Sequence, residues 1–184
     1  MSKRIALLSV VAFSLFALTS TVVAPAHAEE KTVMVGGAAM YPSKNIIQNA
    51  VNSKDHTTLV AAVKAAGLVE TLEGKGPFTV FAPTNTAFGK LPAGTVDSLV
   101  KPENKPTLTK ILTYHVVPGR LEASDLTDGK TLKTVEGETL TVKHDGGKIW
   151  IVDAKGGTSM VTISNVNQSN GVIHVIDTVL MPAS

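Results

Sequence analysis

The feature of the sequence that most constrains its fold is the segment 79–88, which reads Thr-Val-Phe-Ala-Pro-Thr-Asn-Thr-Ala-Phe. Its β-branched and aromatic side chains predict a buried strand over residues 78–82. Pro83 ends this strand because proline has no N–H for a sheet ladder, and the side chains of Thr84 and Asn85 suit the free N–H groups at a helix start. The segment therefore predicts a strand, a sharp corner and a capped helix. The residues that define it are Thr79, Phe81, Pro83, Thr84, Asn85 and Phe88.

The first 28 residues have the pattern of a secretory signal peptide. Lys3 and Arg4 precede an apolar run over residues 5–18, and Ala26-His27-Ala28 has the small-x-small form of a cleavage site. Polar residues interrupt this run. It is therefore shorter than the stretch of about 20 apolar residues that a membrane-spanning helix needs. We therefore expect cleavage after Ala28, a secreted or periplasmic protein, and no integral membrane segment after cleavage.

Removal of the signal peptide changes the charge of the chain. The formal net charge of +2 includes Lys3 and Arg4, whereas all 15 acidic residues follow Ala28, so the expected mature chain is neutral. A neutral chain lacks the basic footprint of a nucleic-acid-binding protein. The sequence also has no cysteine, which excludes disulfides, thiolate nucleophiles and cysteine metal sites.

The remaining chain predicts helices first and strands later. Residues 29–44 show little periodicity and are predicted to be an extended lead-in. Asp55 is expected to cap the clearest helix, and Gly67 to end it. Helices are predicted over residues 45–52, 55–66, 68–72, 93–100 and 105–114, and strands over 139–143, 148–153, 160–164 and 172–179. This order argues for an α+β fold with its helices mainly in the N-terminal half.

Three parts of the sequence resemble the fasciclin domain family. They are the segment 79–88, the pair Tyr114-His115, and the segment 170–182, which reads Asn-Gly-Val-Ile-His-Val-Ile-Asp-Thr-Val-Leu-Met-Pro. The resemblance runs from about residue 45 to residue 182 in the right order and spacing, and it relates the chain to the beta-Ig-H3/fasciclin repeat. It implies one domain over residues 45–184, a wedge of two β-sheets with several short helices, and a non-enzymatic adhesion module that binds protein or polysaccharide at a cell surface or in a matrix.

Two positions of this resemblance concern adhesion. Tyr114-His115, flanked by aliphatic residues, matches the segment that fasciclin domains use in cell adhesion. A Tyr-His pair at a junction of helix and strand is also typical of buried side chains whose polar atoms form hydrogen bonds inside the core. We expect His115 to be such a core residue, with a hydrogen-bond partner. The family's second adhesion element is an Asp-Ile pair, which is replaced here by Asn165-Val166. An integrin that coordinates an acidic side chain through its metal ion would lack this ligand here. The missing carboxylate therefore argues against animal-type integrin binding.

A hydrolase is the alternative, and it rests on His174 and Asp177. The two residues are three apart on a predicted strand, which places them on opposite faces, and no G-x-S-x-G segment supplies a nucleophile. No histidine pair has the spacing of a helical zinc site, so we expect no metal and no cofactor. We expect Gly171, His174 and Asp177 to be structural members of the C-terminal segment. A purely structural matrix component stays open as a further alternative, and the sequence does not specify the oligomeric state.

Overall fold

The computed structural model describes residues 31–183, so the expected signal peptide lies outside the described residues. No helix between these two residues has the length and hydropathy needed to cross a membrane. The described chain forms one seven-stranded sheet, one two-stranded hairpin and a layer of short helices.

The helices of the described chain precede most of its strands, as the sequence predicts. Short 3₁₀ turns cover Lys54–His56, Pro102–Asn104 and Ala123–Asp125. The α-helices are α1 (Ile46–Ala50), α2 (Thr57–Ala66), α3 (Val69–Glu73), α4 (Asn85–Gly89), α5 (Thr95–Leu99) and α6 (Lys105–Tyr114).

The strands are arranged in the order β4-β3-β9-β8-β7-β6-β5 in the large sheet, and β1 pairs with β2 apart from it. Neighbouring strands are antiparallel except β3 and β9, which are parallel. The strands are β1 (Val33–Val35), β2 (Ala38–Met40), β3 (Phe78–Pro83), β4 (Val116–Pro118), β5 (Thr131–Lys133), β6 (Thr139–Asp145), β7 (Lys148–Val152), β8 (Thr158–Gln168) and β9 (Gly171–Ile176).

The long strand β8 divides the large sheet into two parts. Its first residues pair with β7, and residues from Val161 onward pair with β9. The register with β9 shifts between Val161 and Ile163 and again between Ile163 and Val166. Such irregularities bend a strand and increase its twist. The expected wedge of two sheets is therefore confirmed, with β8 shared between its two halves.

The central strand β9 is buried along its whole length and separates two hydrophobic clusters. Ile173 and Val175 face the helices, where they join Leu59 and Val63 of α2. Ile176, on the opposite face, belongs to a cluster inside the wedge. This second cluster also contains Phe81, Tyr114, Leu126, Leu140 and Ile151.

The segment 29–44 differs from the predicted lead-in because part of it pairs as a hairpin. Gly36 and Gly37 form the turn with φ values of +57° and +76°, which glycine adopts without a steric penalty. Val35 and Met40 are buried in the cluster beneath the helices. Each strand of the hairpin is three residues long, too short to show a period of two in the sequence.

The predicted corner after β3 is confirmed. Thr84 is the N-cap of α4, and its Oγ1 accepts a hydrogen bond of 3.2 Å from the N–H of Ala87. The predicted cap of α2 was wrong: Asp55 lies in a 3₁₀ turn before the helix, and the Oδ1 of Asn85 instead accepts a bond of 3.0 Å from the N–H of Thr58. The side chain of Asn85 thus covers the start of a helix to which it does not belong.

Candidate functional site

Tyr114, at the end of α6, lies inside the wedge and has no exposed surface. Its hydroxyl donates a hydrogen bond of 3.1 Å to the carbonyl of Thr139 and accepts one of 2.8 Å from the N–H of Ala154. Burial raises the pKa of Tyr114 above its ordinary value, so the phenol is neutral. The side chain connects α6 to β6 and to the turn after β7, and it is not displayed to a partner.

His115 is the next residue and is also buried, with 2% of its surface exposed. Its Nε2 accepts a bond of 3.0 Å from the N–H of Leu180, so the ring proton must be on Nδ1, which donates to the carbonyl of Ile111 at 2.8 Å. Burial lowers the pKa of His115 from 6.5 to about 4. His115 is thus the core residue with a hydrogen-bond partner that the sequence predicts.

Asn165-Val166, the second pair that the family resemblance singles out, has one buried and one partly exposed member. Val166 is 1% exposed and belongs to the cluster beneath the helices. Asn165 has a φ of +57°, a conformation that is uncommon for residues other than glycine. Its Oδ1 accepts a hydrogen bond of 2.7 Å from the N–H of Ala123. The asparagine therefore holds β8 against a loop more than 40 residues earlier in the chain.

Arg120 joins the same two parts of the chain. Its guanidinium donates one bond of 2.6 Å to Oδ1 of Asn167 and another of 2.6 Å to the carbonyl of Gln168. We call residues 120–130 and 165–169 together the loop surface. Exposed and half-exposed side chains dominate this surface, and its two segments are fixed to each other by side-chain hydrogen bonds.

His174 supports the loop surface from inside the wedge. It is fully buried, and its ring stacks on that of Phe81 with centroids 5.7 Å apart. Nε2 lies 2.7 Å from the carbonyl of Leu121, which can only accept, so Nε2 carries the proton. Burial lowers the pKa of His174 and keeps the ring neutral. His174 thus anchors the first turn of the loop surface to the central strand.

Comparison with known proteins agrees with this architecture. The sequence model described as Fasciclin domain matches residues 54–182, which is most of the chain. The chain belongs to the fasciclin domain family. The resemblance seen in the sequence is therefore confirmed, and the structure can be described as a fasciclin domain.

Relatives of this fasciclin domain occur in distant organisms. Protein sll1483 of Synechocystis sp. is 50% identical over 169 residues, which cover 91% of this chain and 91% of that protein. Cell surface glycolipoprotein MPB83 of Mycobacterium bovis is 39% identical over 153 residues, covering 80% of this chain and 64% of that protein. The structure of a FAS1 domain pair from the insect cell adhesion molecule Fasciclin I shares the fold, with a TM-score of 0.68, 19% identity, and coverage of 77% of this chain and 52% of that chain.

The fasciclin domain does not bring His174 and Asp177 together as a catalytic pair. His174 bonds to the loop surface, whereas Asp177 accepts a bond of 2.9 Å from the N–H of Met160 and lies 3.4 Å from the ammonium of Lys90. Burial alone would raise the pKa of Asp177, but the Met160 N–H, the Thr178 hydroxyl and Lys90 hold it below its usual value. The carboxylate ties β9 to β8 and to the residue that follows α4.

Sequence reasoning missed the role of Asn170, which precedes β9. Its Nδ2 donates to the carbonyls of Leu72 at 2.7 Å and Gly74 at 2.9 Å, and its Oδ1 accepts a bond of 3.1 Å from the N–H of Ile46. Gly171 follows it, and a Cβ there would lie 2.1 Å from the carbonyl oxygen of Phe78. The Asn-Gly pair therefore fixes two helices and allows β3 to approach β9. The signal that the sequence offers is the Asn-Gly pair directly before an apolar run.

The described residues also contain no group of three or more histidine, aspartate or glutamate side chains arranged to hold a metal ion. His115 and His174, the histidines that the sequence singles out, instead bond to backbone groups of Ile111, Leu180 and Leu121.

Proposed function

We propose that this fasciclin domain is a non-enzymatic surface-interaction module that binds protein or polysaccharide through its loop surface. The observation that carries the proposal is the fixing of two distant segments by Arg120 and Asn165. Binding residues are found disproportionately on loops that a rigid scaffold positions. A loop that is ordered before binding loses less conformational entropy when a partner is bound.

The burial of Tyr114 and His115 supports the choice of the loop surface. Neither side chain reaches solvent to a useful extent in this fold, so a partner that binds the folded domain meets other residues first. Exposed positions of the loop surface include Ser124, Thr127 and Asp128. We therefore assign Tyr114 and His115 to the scaffold and the contact itself to the loop surface.

An extracytoplasmic location fits this role. The residues before Glu29 have the signal-peptide pattern, and MPB83 is named a cell surface protein. Fasciclin I is described as a cell adhesion molecule. We propose that the chain is exported, cleaved after Ala28, and acts in the periplasm or outside the cell.

Export is tested by mass spectrometry of the protein recovered from the envelope and the medium. We expect a mature form that begins at Glu29. A protein that keeps Met1 would contradict the signal peptide and would leave a membrane tether open.

The loop surface is tested by binding to immobilised matrix proteins and polysaccharides. Thr127→Arg places a long cation on the exposed loop, and Thr107→Arg makes the same change at an exposed position of α6. We expect the first variant to lose binding at least tenfold and the second to bind like the parent. Equal binding by both variants would contradict the assignment of the contact to the loop surface.

The salt dependence of the same binding shows whether net charge drives the contact or whether charges of both signs and uncharged groups share it. The mature chain is expected to be neutral, and the loop surface carries Arg120 and Lys130 as well as Glu122, Asp125 and Asp128. We expect the dissociation constant to change little between about 50 and 500 mM NaCl, because screening acts mainly on long-range charge interactions. Binding that weakens steeply would instead indicate a polyanionic partner.

A further inference from the structure

One face of the strands β5 to β8 lies on the solvent side of the sheet. The opposite face supplies Leu132, Leu140, Val142 and Ile151 to the cluster inside the wedge. Successive side chains of a strand point to opposite faces, and directly paired residues share a face. The solvent side therefore consists of the residues that alternate with these buried ones in β5, β6, β7 and the start of β8, and all of them are exposed or half-buried. We call this the outer face.

An apolar strip crosses the middle of the outer face. Trp150 lies directly opposite Lys143 of β6 and Met160 of β8, and Val152 follows two residues along the same strand. Trp150, Val152 and Met160 are half-buried. The Nε1 of Trp150 is buried and has no hydrogen-bond partner among the described residues, so any exposed part of this side chain is hydrocarbon. The strip therefore offers an aromatic surface to a flat apolar group.

Threonine hydroxyls border this strip. Thr141 and Thr158 lie directly opposite Val152, and Thr131 lies opposite Thr141. A hydroxyl both donates and accepts hydrogen bonds, as the hydroxyls of a sugar do. The C–H groups on one side of a sugar ring also complement the negative face of an aromatic ring. The row of threonines beside Trp150 thus matches the two kinds of surface that a sugar ring presents.

The charged residues of the outer face are mainly cations. Lys133, Lys143 and Lys148 are exposed, and none of them forms an ion pair with another described residue. Asp145, directly opposite Lys148, is the acidic residue of this face. Three lysines and one aspartate give the outer face a net charge of +2 on a mature chain that is expected to be neutral. Its charge is therefore complementary to an anion.

Carboxylates at the margin of the outer face have partners elsewhere. Glu136 lies 3.6 Å from the ammonium of Lys110, and Asp153 accepts bonds of 2.7 Å from the N–H of Gly157 and 3.0 Å from that of Met181. Lysines often protect the edge strand of a sheet from pairing with another chain. The strands β6 and β7 have neighbours on both sides, so edge protection does not account for the lysines that they carry.

We propose that the outer face binds an acidic polysaccharide, with a sugar ring on Trp150 and carboxylates at Lys143 and Lys148. The Cα atoms of the two lysines are about 8 Å apart from the spacing of paired strands, so an extended polymer can reach both. The outer face carries no arginine, the residue best suited to bidentate contact with phosphate, which favours a carboxylated sugar over a nucleic acid. The outer face shares no residue with the loop surface, so either proposal can fail without the other.

The first test uses Trp150 as the probe, because it is the only tryptophan of the chain. The purified protein is titrated with an oligomer of galacturonic acid and with a neutral glucose oligomer of the same length, and the tryptophan emission is followed. We expect a saturable change with the galacturonic acid oligomer and at least tenfold weaker binding of the glucose oligomer. Equal affinities, or no saturable change with the acidic oligomer, would overturn the proposal.

The salt dependence of this titration distinguishes the outer face from the loop surface. We expect the dissociation constant of the acidic oligomer to rise about tenfold between about 50 and 300 mM NaCl, because exposed contacts between cations and carboxylates are screened. The loop-surface contact is expected to change little over this range. An affinity for the acidic oligomer that salt leaves unchanged would contradict the role of the lysines.

The second test removes the two central lysines. The double variant Lys143→Gln, Lys148→Gln should bind the acidic oligomer about tenfold more weakly, which is within the range for the loss of two exposed ion pairs. The double variant Lys64→Gln, Lys101→Gln is the matched control, because it removes two exposed positive charges outside the outer face. It should bind like the parent. An equal loss in both variants would show that net charge alone drives binding and would overturn the assigned site.

The third test isolates the contact with the aromatic ring and is measured by calorimetry, because the probe is removed. We expect Trp150→Thr to bind the acidic oligomer at least tenfold more weakly and Trp150→Phe to keep most of the affinity, with urea unfolding as the check that both are folded. Parent-like binding by Trp150→Thr would overturn the assigned stacking. An oligothymidylate of the same length that binds the parent more tightly than the acidic sugar would assign the outer face to nucleic acid and overturn the proposal.

Discussion

His115 has two partners of opposite kind, and together they fix its protonation. The N–H of Leu180 requires an acceptor, and the carbonyl of Ile111 requires a donor. A neutral imidazole supplies one of each, whereas an imidazolium would supply two donors. The residue therefore connects the end of α6 to the C-terminal segment in one tautomer only.

We predict that His115→Ala destabilises the whole domain. The substitution leaves buried groups of Leu180 and Ile111 without a partner, at a cost of about 1–3 kcal/mol for each unpaired group. The midpoint of urea unfolding should fall with little change of slope. His144→Ala, at an exposed position of β6, is the comparison and should cost less, because its ring makes one hydrogen bond, of 2.6 Å to the carbonyl of Leu126, and lies nearer the solvent. If the His115 variant keeps its stability but loses adhesion, the pair Tyr114-His115 is a contact site after all.

The corner between β3 and α4 connects several elements through two adjacent side chains. Thr84 caps α4 within the segment, whereas Asn85 reaches back to the start of α2 and also donates a bond of 2.8 Å to the carbonyl of Lys54. A hydrophobic strand followed by Pro-Thr-Asn therefore positions two helices at once.

We predict that Thr84→Ala lowers the free energy of unfolding by about 1 kcal/mol, the usual cost of removing a capping threonine. Thr86→Ala is the matched control, because Thr86 is an exposed residue of α4 that does not cap it. The free energy of unfolding of both variants is measured by denaturant unfolding, and we expect the slope to stay unchanged. Equal stabilities of the two variants would mean that the bond from Ala87 contributes nothing.

We predict a larger effect for Gly171→Ala at the start of β9. The added Cβ would lie 2.1 Å from the carbonyl oxygen of Phe78, a backbone atom that cannot move aside without separating β3 from β9. We expect a loss of roughly 2–4 kcal/mol, as for other severe steric conflicts in a core. Gly89→Ala meets nothing within 4 Å and is the control. A Gly171→Ala protein as stable as this control would show that the two strands can separate freely.

At the scale of the whole molecule, the sequence predicts what depends on neighbours along the chain. The corner at Pro83, the helix end at Gly67 and most of the strands from residue 139 onward come from local propensity and periodicity. The burial of His115 follows from its position between a helix and an apolar strand. These features can be predicted without knowing which distant segments contact each other in the folded chain.

The features that sequence reasoning missed depend on contacts between distant segments. Asn85 caps α2 from 27 residues away, and Asn165 holds a loop 42 residues earlier. The outer face is made by four strands that lie side by side only in the folded chain. The pattern of residue types does not show which distant segments come into contact, because the side chain of the same asparagine could equally well hydrogen-bond within a local turn.

The buried histidines also make the stability of the whole domain depend on pH. Burial lowers the pKa of His56, His115 and His174, so the unfolded chain binds protons at these positions before the folded one does. Their stabilising contribution is therefore complete above the unfolded pKa of about 6.5 and is lost as the pH falls. For His115 the loss extends to about pH 4.

We predict that the domain is less stable at pH 4.5 than at pH 7.5, and that His115→Gln reduces this difference. A pKa lowered from 6.5 to about 4 corresponds to roughly 3 kcal/mol for His115 alone when both states are fully deprotonated. The variant should be the less stable protein at pH 7.5, because glutamine does not reproduce both hydrogen bonds. Its disadvantage should shrink on acidification, because it has no imidazole to protonate in the unfolded state. Urea unfolding of both proteins at several pH values measures this convergence of their unfolding free energies. If the two curves of unfolding free energy against pH stay parallel between pH 7.5 and pH 4.5, His115 has the same pKa in the folded and unfolded chains.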